Sequence, residues 1–187
     1  MNILFFVSAF SIAMTSALVS IDGTVNTTKE PSLSVGSAIA AARKHFPTNG
    51  VVYSATAHRV SSNEWWYVSC RDLNEDDGYR TNYTCIVSAQ DIRMFTSVRE
   101  DCGLPEVSYL EVLSALKERA EVKETEIVEM GWLRYSESQY SASQKCKWIV
   151  RSTKGYANGY YYEVVCRGGR IASIGRKKNT FEEMWGM

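Results

Sequence analysis

Two short stretches decide the fold, Trp66-Tyr67-Val68 and Trp148-Ile149-Val150. Each joins a tryptophan to aromatic or β-branched neighbours, a composition that favours a β-strand. Each is followed, at a nearly equal distance, by another apolar segment with a central cysteine, Cys85 in one case and Cys166 in the other. The same series of signals in the same order indicates an internal repeat.

Similar elements surround the two tryptophan segments. Apolar residues recur at helical spacing over Ser34–Phe46 and over Ser108–Ala120, which predicts an amphipathic helix in each half. Ser108 and Glu111 have the spacing of a capping box. The remaining strand-like segments are Val51–Val60, Tyr83–Val87 and Ile92–Val98 in the first half, and Ile127–Tyr135, Tyr161–Arg167 and Arg170–Ile174 in the second.

The sequence therefore predicts an α+β fold of two tandem α-β-β-β-β repeats packed together, each with a helix across a four-stranded antiparallel sheet. The predicted bounds are 33–101 for the first repeat, 102–106 for a connector, 107–178 for the second repeat and 179–187 for a tail. One repeat alone has a marginal core, so we expect the two to be packed or stapled together. The alternative is a chance resemblance between helix-and-hairpin patterns.

The N-terminus is typical of a signal peptide, because residues 3–19 are almost entirely apolar and a polar stretch follows over 20–32. The small residues Thr15-Ser16-Ala17 predict cleavage after Ala17, with Ser20 as a second choice, and a flexible segment over 18–32. The alternative is a membrane anchor, which needs about 20 apolar residues. We expect a secreted, extracellular protein with no membrane association after cleavage.

In an exported protein, asparagines in acceptor triplets can carry glycans and cysteines can form disulfide bonds. Acceptor triplets for glycosylation begin at Asn26 and Asn82. Strand alternation projects four of the five cysteines with the apolar residues, and in an oxidising compartment the simplest pairing lies within each half. This predicts the bonds Cys70–Cys85 and Cys146–Cys166. Cys102 is then left over, although it could instead tie the halves together.

Composition excludes several functions. Lys and Arg number 21 and Asp and Glu number 21, so the net charge is zero, which argues against binding nucleic acid or an anionic membrane. No P-loop, Gly-x-Ser-x-Gly, His-Glu-x-x-His or Cys-x-x-Cys motif occurs. We therefore expect no catalytic set, no cofactor and no metal. An acidic run over 72–78 departs from the calcium-loop pattern and is better interpreted as a hairpin tip.

One catalytic alternative involves a sheet that carries His58, Glu64 and Arg80, in the manner of small secreted fungal ribonucleases. That chemistry needs a second group to protonate the leaving oxygen, and no second histidine occurs on a predicted strand. A solvent-facing strand histidine is the simpler interpretation of His58.

A contact surface is the better-supported expectation. Aromatic side chains supply large and rigid contact area, and the second half has a turn rich in tyrosine followed by a basic stretch over 167–178. Alternation places about half of such aromatics in the core, and a basic edge strand is often only a solubility device. The residues predicted to contact a partner are Tyr79, Tyr156, Tyr160 and Arg170.

The leader Met1–Ala17, the few cysteines and the Trp66/Cys85 and Trp148/Cys166 units resemble the layout of small secreted effector proteins of plant-infecting fungi, including smut proteins made during infection. That resemblance implies a virulence protein that binds a protein or polysaccharide of its host without catalysis. The order of elements also resembles cystatin-like and PepSY-like modules and tandem-repeat β-lactamase inhibitors. This second resemblance implies an enzyme inhibitor as an alternative, although the cystatin loop Gln-x-Val-x-Gly is absent.

Overall fold

A computed structural model describes residues 29–60, 62–72, 79–100, 104–134 and 146–178. The predicted signal peptide, Asn26, Cys102 and the tail over 179–187 lie outside these residues. The helices are α1 (Val35–Arg43), α2 (Tyr109–Ala120) and α3 (Thr153–Asn158), with a 3-10 turn over Glu124–Glu126. The strands are β1 (Val51–Val60), β2 (Asn63–Arg71), β3 (Tyr79–Val87), β4 (Ile92–Glu100), β5 (Ile127–Arg134), β6 (Cys146–Ser152), β7 (Tyr160–Arg167) and β8 (Arg170–Lys178).

All eight strands belong to one antiparallel sheet in the order β4-β3-β2-β1-β5-β6-β7-β8. The prediction of two four-stranded repeats packed together is therefore wrong. The strands β1 and β5 pair directly at a central seam, where Ser54 lies opposite Gly131 and Thr56 opposite Glu129. Two separate sheets would each leave an edge of unpaired backbone groups at this place, and edge-to-edge pairing satisfies those groups with hydrogen bonds.

Side-chain caps define where the helices begin. The Ser34 hydroxyl accepts a hydrogen bond from the Ser37 amide at 3.2 Å at the start of α1. The capping box predicted for α2 is confirmed, because the Ser108 hydroxyl accepts from the Glu111 amide and the Glu111 carboxylate accepts from the Ser108 amide at 3.0 Å. The first two helices were thus predictable from local residues.

The tyrosine-rich turn expected in the second half contains α3 instead, between β6 and β7. The Ser152 side chain accepts from the Gly155 amide at 3.1 Å, and Gly159 ends the helix in the left-handed conformation with φ 65°. Both are standard helix-end arrangements. A helix of six residues is too short for its apolar periodicity to show in the sequence.

The core lies on one face of the sheet, which we call the helix face. Trp66 and Trp148 are completely buried there. The indole N–H of each donates a hydrogen bond to the carbonyl of the residue before a helix cap. Trp66 Nε1 donates to the Leu33 carbonyl at 3.0 Å, and Trp148 Nε1 donates to the Val107 carbonyl at 3.2 Å. The buried core continues across the seam through Met130. It is a single core for the whole sheet.

The opposite face, which we call the open face, is not covered by α1 or α2. Its side chains alternate with those of the helix face along each strand, so Tyr67 lies on it between the buried Trp66 and Val68. Within the described part of the chain, no helix is long and apolar enough to cross a membrane.

Candidate binding surface

A row of side chains crosses the open face and the seam without interruption. Directly opposite residues of antiparallel strands project from the same face, so the strand registers determine which side chains are neighbours. From β4 to β6 the row consists of Arg93, Ile86, Tyr67, Thr56, Glu129 and Arg151. The open face is therefore one continuous surface that both halves of the chain build.

An aromatic cluster of His58, Trp65 and Tyr67 forms the part of this face on β1 and β2. The His58 ring stacks against Trp65 with centroids 6.4 Å apart and meets the edge of Tyr67 at 4.8 Å. All three side chains are only partly buried. Because the rings pack against one another, their positions are fixed while part of their apolar surface stays exposed to water. Side chains that anchor a protein interface have both properties.

Two exposed apolar side chains lie farther out on the same face. Phe95 on β4 is 55% exposed and Leu133 on β5 is 43% exposed. Between them the face is shallow, because Ser69, Ser54 and Gly131 lie side by side on β2, β1 and β5. A Cβ placed on Gly131 would meet only the Ser54 Cβ, at 4.0 Å. The open face is thus shallow at the seam, and exposed apolar side chains lie on both sides of it.

A polar cluster of Glu129, Arg151 and Tyr156 adjoins the aromatic cluster. The Glu129 carboxylate receives the Arg151 guanidinium at 2.6 Å and the Tyr156 hydroxyl at 3.1 Å. Burial, followed by the negative charge of Glu129, raises the pKa of Tyr156, so its hydroxyl stays protonated and remains a donor. This cluster fixes α3 against the open face.

The imidazole of His58 is held in its neutral form. Burial lowers its pKa from the ordinary value of 6.5, and the negative charge of Glu129 opposes that effect in part. A neutral imidazole between two aromatic rings is an apolar contact with one hydrogen-bond donor and one acceptor. His58 therefore belongs to the aromatic cluster and lies within reach of the charge of Glu129.

The three residues of the ribonuclease alternative do not form a site together. Glu64 lies on the helix face, where it is paired with Arg59 and accepts from the Ser32 amide at 2.7 Å. The side chain of Arg80 is outside the described part of the structure. The acid whose charge acts on His58 is Glu129 of the polar cluster, which sequence reasoning missed because it comes from the other half of the chain.

The predicted partner contacts are also spread over the molecule. Tyr156 lies in the polar cluster, whereas Tyr160 lies on the helix face with its ring 5.6 Å from Tyr162 and 5.2 Å from the Arg176 guanidinium. Arg170 is exposed beside the turn between β7 and β8. Tyr79 begins β3, and its side chain is not described. These residues do not form one patch.

Neither of the predicted disulfide bonds is formed in the structure. Cys85 is opposite Val68 and Cys70 is opposite Tyr83, so these two cysteines are diagonal neighbours on adjacent strands. In the other pair, Lys147 is opposite Val165, and the same register continued by one residue sets Cys146 opposite Cys166. Burial raises the pKa of Cys70 to about 12 and that of Cys166 to about 11. No two of these cysteines lie at disulfide distance in the structure, so both pairs remain predictions.

The sequon asparagine Asn82 is almost completely buried. Its side-chain oxygen accepts from Arg71 Nε at 2.9 Å, and the guanidinium of Arg71 lies 4.6 Å from the centre of the Tyr53 ring. A glycan at this residue would have to be attached before β3 pairs with β2.

No family model matches the chain, and no curated protein is significantly similar to it. The fold is similar to the crystal structure of a protein from Clostridium difficile 630 named a "putative lipoprotein". The two share 11% identity with a TM-score of 0.36, over 82% of this chain and 99% of the other. At this distance, nothing about the function of this chain follows from the likeness.

Proposed function

We propose that this chain is a secreted, non-catalytic binding protein of the effector type, and that its open face docks on a protein of the host. The observation that carries this proposal is an eight-stranded sheet with α1 and α2 on one face and aromatic and apolar side chains on the other. Part of this face is buried, at Arg71, Asn82 and Tyr161. The aromatic cluster stays partly exposed and Phe95 and Leu133 are exposed, and exposed apolar area of this kind is typical of an interaction site.

A protein fits the open face better than a small ligand. The five strands from β4 to β5 carry the exposed apolar side chains and make a surface roughly 19 Å across at their usual spacing, which is wide enough for a protein to dock. Trp65 and Tyr67 are residue types that dominate binding energies in such interfaces. The neighbouring ion pair of Glu129 with Arg151 supplies fixed charges beside them, which favours one orientation of the partner.

The experiment is capture of proteins from host extracts, followed by measurement of the affinity for the captured protein with three matched variants. Tyr67→Ser and Leu133→Ser alter the open face. Leu110→Ser alters the most exposed large apolar side chain of the described residues, which is 61% exposed on α2. We expect the two open-face variants to weaken binding by at least about tenfold and the α2 variant to leave it unchanged. Equal losses, or a loss only with Leu110→Ser, would contradict the proposal.

A ribonuclease-like hydrolase is the second candidate, because the polar cluster contributes an acid and a guanidinium to the face that carries His58. This function requires RNA cleavage that disappears in His58→Ala. The binding function predicts no cleavage by the wild-type protein and unchanged folding in that variant. If the captured host protein is an enzyme, assaying its activity with and without this chain tests the inhibitor alternative.

A further inference from the structure

The two edges of the sheet differ in chemistry. β8 carries Arg170, Arg176, Lys177 and Lys178, and charges of this kind keep an edge strand from pairing with other chains. β4 carries Arg93, Arg99 and Glu100, and its uncharged run over 94–98, Met-Phe-Thr-Ser-Val, is as long as the uncharged run over 171–175 of β8. Met94 and Phe95 in this run are 45% and 55% exposed. The two edges thus differ in the large exposed apolar side chains at their centres, which β4 has and β8 does not.

The β4 edge also has the length for strand addition. Its residues pair with β3 continuously from Ile92, opposite Val87, to Glu100, opposite Tyr79. In an edge strand, alternate backbone N–H and C=O groups point away from the sheet, and they can bond a further strand. Among the described strands, none lies beyond β4.

We propose that β4 pairs antiparallel with β4 of a second copy of this chain, so that the sheet continues from one molecule into the next. A two-fold axis perpendicular to the sheet keeps the two open faces on the same side. Every residue then lies opposite a residue of its own face. This proposal is independent of the function proposed for the open face.

The residues of β4 select the register of this pair. With the axis at Phe95, the two Phe95 rings are direct neighbours, and Arg93 lies opposite Ser97 of the second copy. With the axis one residue farther along, at Thr96, Arg93 would lie opposite Arg99. Aromatic pairs across strands are stabilising and like charges directly opposite are destabilising. The pairing of the two Phe95 rings therefore favours the axis at Phe95.

The first test is the mass of the full chain in solution from about 1 to about 100 µM, measured by sedimentation and light scattering. We expect a dimer that dissociates on dilution. Phe95→Lys sets two lysines together at the axis, and we expect it to raise the dissociation constant at least about tenfold. Leu110→Lys is the control on an equally exposed apolar residue away from the edge, and its dimer should be unchanged.

A monomer throughout this range, or the same dimer in the wild type and in folded Phe95→Lys, would overturn the proposal. Phe95→Cys provides the second measurement, because residue 95 is the position that meets its own copy. Mild oxidation should join two chains through residue 95, identified in the linked peptides, and Leu110→Cys should give no such product. A folded Phe95→Cys that does not cross-link, or a monomer that instead adds a foreign extended peptide at β4, also overturns it.

Discussion

Gly36 in the first turn of α1 lies against the carboxylate of Glu124. Glu124 Oε1 accepts hydrogen bonds from the Gly36 amide and the Ser34 hydroxyl, both at 2.8 Å. A Cβ on residue 36 would come within 2.0 Å of that oxygen. A negative charge at a helix N-terminus is favourable, and here it comes from the turn before β5. Glu124 of the second half thus caps α1 of the first half.

We predict that Gly36→Ala lowers the free energy of unfolding by about 0.5–1.5 kcal/mol, because the flexible Glu124 side chain must move aside and its two exposed hydrogen bonds are lost. Alanine is ordinarily a better helix former than glycine, so a change from glycine to alanine usually raises the free energy of unfolding. At residue 36 we expect it to fall. Gly175→Ala is the control, since a Cβ at that position on β8 meets no atom within 4 Å. Urea unfolding measures both. A neutral or stabilising Gly36→Ala would contradict the contact, and the loss should disappear in the Glu124→Ala background.

The second residue-scale prediction concerns His58. Because burial lowers its pKa in the folded protein, the unfolded chain binds more protons, and folding loses stability as the pH falls below the unfolded value of about 6.5. His58→Gln should therefore make the free energy of unfolding less dependent on pH between about 7 and about 5. An NMR titration that gives His58 a pKa above 6.5, or an unchanged pH dependence in the variant, would contradict this account.

At the scale of elements, each buried tryptophan links a sheet strand to a helix start. Trp66 and Trp148 donate to the carbonyls of Leu33 and Val107, which immediately precede the caps of α1 and α2. We expect Trp66→Phe and Trp148→Phe each to cost about 2–4 kcal/mol, since a buried carbonyl loses its donor and a cavity remains. Thermal unfolding checks this, with Trp65→Phe on the open face as the milder control. Equal losses in all three would contradict the assigned roles.

Most elements could be predicted because their signals are local. The Ser108–Glu111 capping box and the alternation around Trp66 need only a few neighbouring residues to be recognised. Glu129 shows why the candidate site could not be predicted in the same way. It is a single acid within an apolar strand, and its neighbours Thr56 and Arg151 become apparent only when β1, β5 and β6 are paired.

At the scale of the whole molecule, the wrong prediction is that the two halves form separate four-stranded sheets. Alternation tells which residues share a face, so it predicted that Cys70, Cys85, Cys146 and Cys166 project with the apolar residues of their strands. It carries no information about which edge pairs with which, and a buried Met130 is equally consistent with stacked sheets and with a seam. The backbone register at Ser54 and Gly131 makes the difference between two small sheets and one wide face.

The continuous open face depends on the seam between β1 and β5. The distance of 4.0 Å between the Ser54 Cβ and a Cβ built on Gly131 lies within the range of disulfides. The most direct measurement is therefore mass spectrometry of the double variant Ser54→Cys/Gly131→Cys after mild oxidation of the folded protein. The control is Ser69→Cys/Gly131→Cys, with residues two strands apart at roughly 10 Å.

We predict a 54–131 bond in the double variant and no 69–131 bond in the control. A folded double variant without the 54–131 bond, or one that forms it no more readily than the control forms its own, would contradict the single eight-stranded sheet.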